Sequence, residues 1–307
     1  MTNVCRRKEG QELDIKPPPF HLPLKILISL FLVRSMGYDP LKDFRKIFPF
    51  KTPEVIVKKL LKLVLMSLSI NSWAMAFDHS HQGWTTVLQN YLNADSLVNY
   101  SSLKNNPEEL DAYLEQLQGV HESQYLSWAI NEQKAFLINA YNALTLKLII
   151  NHYPVNSIKD IGGIFSSPWK KKFFRLLDGR IRTLDQIEHD ELRTQFEDYR
   201  IHAAVNCASA SCPPLRAEAF TAGNLDAQLD EQMTSWLGDM SRNKFEADKN
   251  KIKLSMIFKW YRTDFEVWGG GLEAVLLRFG PAPTDELLGN NAKISYLSYD
   301  WSLNDSK

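Results

Sequence analysis

EQKAFLINAYNALTLKLII, residues 132–150, is apolar on nearly every face when wound at 3.6 residues per turn, so it predicts a helix buried inside a core rather than lying on one. Two amides interrupt it. Asn139 and Asn142 stand three apart on nearly the same face, with Tyr141 rotated away from them. A buried amide without partners costs about 1 to 3 kcal/mol. Each must therefore either tether loop backbone within the core or line a pocket and orient a polar ligand, and the sequence leaves both roles open.

Working outward, Trp84–Leu92 and Pro107–Leu117 predict helices, the second with Glu108, Glu109 and Asp111 in its first turn, where they suit the helix dipole. Downstream, Phe173–Leu177 and Arg180–Leu184 flank Asp178-Gly179, which predicts a β-hairpin on a two-residue turn. Leu184–Glu197 reads as a helix, IHAAVNC (201–207) as a buried strand, and Asn224–Met240 as a further helix. KFEAD and KIKLS, on either side of Lys249-Asn250, predict a second hairpin, followed by the helical pattern IFKWYRTDF (257–265). Helix and strand patterns alternate without regular βαβ spacing. The expected class is α+β: a single, mainly helical domain with a small antiparallel sheet of two hairpins.

The N-terminal quarter has a different character. VKKLLKLVLMSLSINSWAMA (57–76) places Lys58, Lys59 and Lys62 before the apolar block Leu63–Ile70 and ends on Ala74-Met75-Ala76, the order of a secretory signal peptide with cleavage after Ala76. The apolar block falls short of the roughly 20 residues of a spanning helix, so no stable membrane anchor is expected after cleavage. Because such a signal works near a true N-terminus, residues 1–56 are expected to be a spurious or untranslated extension, with 77–307 as one mature domain, periplasmic or secreted. Residues 77–307 hold 23 basic and 30 acidic side chains, a net charge of about −7. That balance opposes general binding to nucleic acid or anionic lipid.

Four side chains carry the candidate chemistry: Cys207, Cys212, His202 and His189. Cys207 and Cys212 form C-x4-C, which in an oxidising compartment can close as a disulfide if the Cα atoms approach within about 7 Å. A nucleophilic thiol, Cys212 before Cys207, would instead need a helix N-terminus, a nearby cation or a histidine to lower its pKa. Read as a strand, residues 201–207 put His202 and Cys207 on opposite faces, so His202 would meet Cys212 only if the loop folds back. His189 could act as an acid or base. It stands four residues from Arg193 and beside Glu188, and Glu188 and Arg193 join Asn139 and Asn142 as candidate ligand contacts. Asp264 and Asp300 could orient a histidine or pin the C-terminal segment. C-x4-C without a second compact ligand pair makes no metal site, and no cofactor is expected.

Five blocks in order, AFLINAYNALTL (135–146), LDQIEHDELR (184–193), IHAAVNCASASCPPLR (201–216), LSMIFKWYRTDF (254–265) and SYDWSLN (298–304), resemble the family catalogued as domain of unknown function 547. The resemblance runs from about Ser80 to Asn304 and implies one domain over the mature chain, but it brings no activity that transfers residue by residue. A core helix followed by a His-bearing segment is also similar to the arrangement of transglutaminase-like and papain-like thiol enzymes, although the helix start, 131–136, has no Cys. The first expectation is a non-catalytic binding or interaction domain with a disulfide-closed Cys207–Cys212 loop. The alternative is a hydrolase or transferase using Cys212 with His202 or His189; the sequence names no partner or substrate for either.

Overall fold

The computed structural model describes residues 77–163 and 166–307. The expected export segment 57–76 and the residues before it lie outside the described residues. The described chain opens with α1 (Gln82–Tyr91), α2 (Tyr100–Asn105), α3 (Glu108–Gln118), α4 (Glu122–Leu126) and α5 (Ile130–Ile150). Local chemistry sets several of these ends. The Asn99 side chain accepts the Ser102 N–H at 2.9 Å and caps α2, while Glu132 reaches back to accept the Ala129 N–H at 2.8 Å at the start of α5.

The long apolar helix α5 is the axis of the first core. Phe136, Ile138, Leu144 and Leu148 are fully or almost fully buried on its different faces, packed among residues of α1, α2 and α3. One cation enters this environment. Lys134 Nζ meets Asp198 Oδ2 at 2.9 Å with both side chains buried, and Arg200 Nη2 shares the same carboxylate oxygen at 2.8 Å.

Beyond α5 come α6 (Arg193–Phe196), the single helical turn α7 (Ile201–Ala204) and α8 (Leu225–Gly238). A second core then assembles from β1 (Lys244–Glu246), β2 (Lys251–Leu254), α9 (Met256–Trp260), α10 (Arg262–Val267), α11 (Leu272–Phe279), α12 (Thr284–Gly289) and β3 (Lys293–Tyr296). At its centre Trp236 of α8 stacks on Phe258 of α9, ring centroids 4.4 Å apart. The turn α7 belongs to both cores: Ile201 and Ala204 pack into the first, Ala203 into the second. His202 therefore sits on the seam.

The fold is the mainly helical α+β domain the pattern predicts, with three corrections. The sheet is mixed, since β1 and β2 form the expected antiparallel hairpin but β3 pairs with β2 in parallel, Ile252 opposite Ile294. The hairpin expected around Asp178-Gly179 is one bridge, Leu176 to Ile181, across a tight 3-10 turn. Leu177 and Asp178 both stand in the left-handed region, φ 50° and 57°, and helical winding begins at Leu184, so the two five-residue arms keep a single bridge. The segment expected as strand 201–207 is helical to Ala204 and extended only afterwards. Its length does not distinguish a buried strand from a buried helical turn, and the two alanines favour the turn.

A pH response follows from α1. His81 is buried before the helix with Nδ1 2.7 Å from the Tyr113 hydroxyl, and its Nε2 has no partner. Burial, reinforced by neighbouring His79 and opposed by Asp78, pushes its pKa from 6.5 down to about 4. Below pH 6.5 the unfolded chain takes up a proton that the folded site resists, so this group's stabilisation is complete above that value and is lost as pH falls toward 4. The expected loss is about 3 kcal/mol. Urea unfolding at pH 7.5 and 4.5 should show a smaller difference for His81→Gln than for the unaltered protein; equal differences would contradict the assignment.

Candidate functional site

A cavity of about 240 Å³ opens along the seam between the two cores. Cys207, Cys212, His202, His189 and Glu188 all line it. Segments far apart in sequence bring them there, the turn α7 with the loop after it and a stretch of π-helix over Gln186–Leu192, and the C-terminal tail adds Tyr299 and Trp301 to the lining. Its wider winding presents the successive residues Glu188 and His189 to one cavity, a use to which π-turns are often put.

His202 is held by charge and stacking. Its Nε2 donates to Asp264 Oδ2 at 2.8 Å, and the Tyr261 ring lies over the imidazole with centroids 3.9 Å apart. Asp264 is bound by Arg193 through two nitrogens, each at 2.7 Å. Burial would raise the Asp264 pKa, but the bonds from His202 and Arg193 outweigh it and keep the carboxylate far below its usual range. A charged Asp264 fixes the proton of neutral imidazole on Nε2. That leaves Nδ1 with a lone pair and no protein partner. Burial lowers the His202 pKa, the Asp264 bond opposing it, so the ring stays neutral at neutral pH.

The cysteine loop is built by amides. Asn206 accepts the Ala208 N–H and donates to the Pro213 carbonyl, both at 2.7 Å, clamping the two ends of the loop together. Between them, buried Ala208 is held at φ 61°, a left-handed conformation unfavourable for a residue with a Cβ. The C-terminal tail lies along this loop, the Ala210 N–H donating to Ser302 O and the Asn304 N–H to Ala208 O. The same tail delivers the Tyr299 hydroxyl to both sulfurs, 3.4 Å from Cys207 and 3.3 Å from Cys212.

Both cysteines are free thiols, Cys207 half-buried and Cys212 buried. They are not equivalent. Ser209 Oγ lies 3.3 Å from each sulfur, but only Cys212 also accepts a backbone N–H, that of Cys207, at 3.0 Å. Burial would raise the Cys212 pKa, yet the bonds from Cys207, Ser209 and Tyr299 prevail and lower it. Cys207 moves the other way, raised first by its bond to Cys212 and then by burial. The fixed N–H breaks the symmetry of the pair, and Cys212 is the sulfur primed to lose a proton. Tyr299→Phe should raise the Cys212 pKa and slow its alkylation at pH 7 by roughly five- to tenfold. An unchanged rate–pH profile would show the hydroxyl to be electrostatically idle.

The remaining site expectations divide. Glu188 lines the cavity and accepts the Tyr261 hydroxyl at 2.5 Å. Arg193 does not line it and acts instead by clamping Asp264. His189 lines it with Nδ1 3.3 Å from Arg193 and Nε2 3.9 Å from Asp185. Asp300 orients no histidine; its Oδ1 accepts the Ser302 N–H at 2.9 Å. Of the two roles open to Asn139 and Asn142, their hydrogen bonds are those of tethers, and neither side chain lines the cavity. Asn139 exchanges two hydrogen bonds with the Phe220 backbone, and Asn142 donates to Ala204 O and accepts from Asn206 N, ending α7 at the required place. Asn142→Leu strands two buried backbone groups, so chemical unfolding should show a loss of about 2 to 5 kcal/mol. A loss under about 0.5 kcal/mol would contradict the tether.

Sequence reasoning missed Asn206, Ser209 and Tyr299. The first two sit inside the block that carries the cysteines; Tyr299 has no local signal, because only the tertiary return of the tail brings it to the sulfurs. Among the described residues, no group of three or more His, Cys, Asp or Glu is arranged to hold a metal ion, and no helix is long and apolar enough to cross a membrane.

Residues 125–237 match a family model described as protein of unknown function, DUF547. The match contains α5, the π-helix and the block from His202 to Cys212, whereas Asp264 and Tyr299 lie outside it. No curated protein and no solved structure matches the chain.

Proposed function

We propose that this DUF547 domain-containing protein is a thiol-dependent acyl hydrolase or transferase, with Cys212 as nucleophile and His202, oriented by Asp264, as its acid–base partner. One observation carries the reading. A buried imidazole with one nitrogen on a clamped carboxylate and the other unpartnered lines the same cavity as a thiol whose proton is already loosened by donors. These are the roles of a nucleophile, base and orienting group.

In the reaction, the Cys212 sulfur attacks the acyl carbon and its proton passes to His202 Nδ1. The imidazolium, stabilised by Asp264, returns that proton to the departing amine, alcohol or thiol. Water or another acceptor then attacks the thioester, again giving its proton to His202, and the cysteine is released as the thiol. Tyr261 restrains the imidazole by stacking, and Arg193 is a positioning residue that keeps Asp264 ionised. Hydrolysis of p-nitrophenyl acetate before and after complete alkylation with iodoacetamide tests the reading. Loss of the enzymatic rate on alkylation is expected, and hydrolysis that survives it would overturn the proposal.

A second reading rests on the hydroxyls the two sulfurs share. Thiols that both meet Ser209 and Tyr299 are placed to close into a disulfide in an oxidising compartment, which would leave the cavity as a binding site without a nucleophile. Alkylation only after reduction would favour this second reading. The compartment itself is a proposal from the sequence: residues 57–76 act as an export signal and the mature, periplasmic or secreted chain begins at Phe77. A native N-terminus at Phe77 is expected, and peptides recovered from residues 1–50 would contradict it.

A further inference from the structure

The cavity has a second chemical character that nucleophile and base do not use. Its mouth is aromatic. Trp260 stacks on Trp301 with centroids 5.7 Å apart, Tyr299 lies 4.8 Å from Trp260 and 4.5 Å from Trp301, and Trp169 meets Trp301 edge-on at 5.9 Å. Trp260 is 45% exposed although it is one of the largest apolar side chains in the chain. The charged groups behind this wall are carboxylates, Asp185 and Glu188, and no Lys or Arg lines the cavity. Neither carboxylate is neutralised at close range. Glu188 holds only the neutral Tyr261 hydroxyl, and Asp185 has His189 at 3.9 Å, while the nearby Arg193 is committed to Asp264.

Faces of indole rings attract cations, and carboxylates behind them add to the attraction in a partly desolvated site. The molecule already exhibits the first effect, and it engages Trp301 in doing so: Lys159 Nζ sits 3.6 Å from the centre of that ring, which leaves the exposed Trp260, with Tyr299 beside it, to meet a ligand. A neutral apolar ligand would gain from the rings alone and would leave two carboxylates desolvated without compensation. An anion would be repelled.

Resting on the acyl-transfer reading, we propose that this mouth selects substrates bearing a cationic group, a lysine-like ammonium or quaternary amine, beside the acyl bond. Trp260 and Tyr299 pack against the cation, and Asp185 and Glu188 balance its charge. The same carboxylates reject acidic substrates, which makes them specificity residues rather than participants in the bond-breaking step.

Binding tests this independently of catalysis. With Cys212→Ser protein, titration of tryptophan fluorescence with Nα-acetyl-lysine amide and with its uncharged analogue Nα-acetyl-norleucine amide compares cation with isostere. The lysine amide is expected to bind at least about tenfold more tightly. Asp185→Asn should narrow that ratio at least about threefold, and the unaltered protein should give the same ratio as Cys212→Ser. Equal affinities, tighter binding of norleucine amide or of a neutral oligosaccharide, or no binding of the lysine amide up to about 10 mM would overturn the proposal. Preferential lysine binding in a protein without acyl turnover would leave this inference standing while the catalytic reading fails, and turnover without cation preference would do the reverse.

Discussion

Cys212→Ala should lower acyl turnover by at least about a thousandfold, to the rate that binding and the remaining donors sustain over water. Cys207→Ala should lose no more than about tenfold. The difference follows from which atoms each substitution removes. The donor that distinguishes Cys212 is the backbone N–H of residue 207, which alanine retains at the same place. What Cys207→Ala removes is a thiol that holds its own proton tightly and donates toward Cys212, leaving Ser209, Tyr299 and the backbone N–H as donors to that sulfur. If Cys207→Ala proved the inactive variant, the nucleophile would be misassigned and the N–H would be a loop bond without catalytic consequence. If both variants stayed active, no thiol mechanism would apply.

The second large effect concerns the carboxylate behind the base. Asp264→Asn should lower kcat/KM by about a hundred- to ten-thousandfold, because an amide can present a hydrogen to Nε2 and place the imidazole proton on the nitrogen that must accept one. Arg193 would lose its ionic partner in the same variant. Asp264→Ala adds a cost in stability of about 3 to 5 kcal/mol, since it leaves the guanidinium and a buried imidazole unpaired. The pH profile separates chemistry from folding. In the unaltered enzyme His202 must be neutral to accept a proton and its pKa is lowered by burial, so activity should fall on acidification with a midpoint below 6.5. Asp264 opposes that lowering, and removing its charge should move the midpoint further down. A midpoint that does not respond to Asp264→Asn would show that the two groups are not coupled in the reaction.

Legibility in the sequence followed the range of the interactions. The helix at Ile130–Ile150, the helix over Leu225–Gly238 and the hairpin of β1 and β2 are set by local periodicity and turn chemistry, and all three could be read. The parallel pairing of β3 could not, because its partner lies some forty residues upstream and no local pattern encodes the return. The site was legible as a set of residue types before it was legible as geometry. Cys207, Cys212, His202, His189 and Glu188 were singled out and all meet at one cavity. The strand reading of 201–207 nevertheless set His202 against Cys207 on opposite faces. The turn α7 removes that objection, since alternation does not apply across a helical turn followed by extended chain. Asn139 and Asn142 illustrate the converse: a buried amide announces that it needs partners, but only the structure shows that backbone at Phe220, Ala204 and Asn206 supplies them.

The claim at the centre is that the cavity forms a covalent acyl adduct on one particular sulfur. Brief reaction with an activated acyl ester at neutral pH, acid quench and peptide mapping by mass spectrometry reads this directly. The account predicts a single thioester on Cys212, absent from Cys212→Ala and strongly diminished in His202→Gln. Acylation of Cys207 in preference to Cys212, or labelling of both no faster than a free thiol of the same exposure, would contradict it.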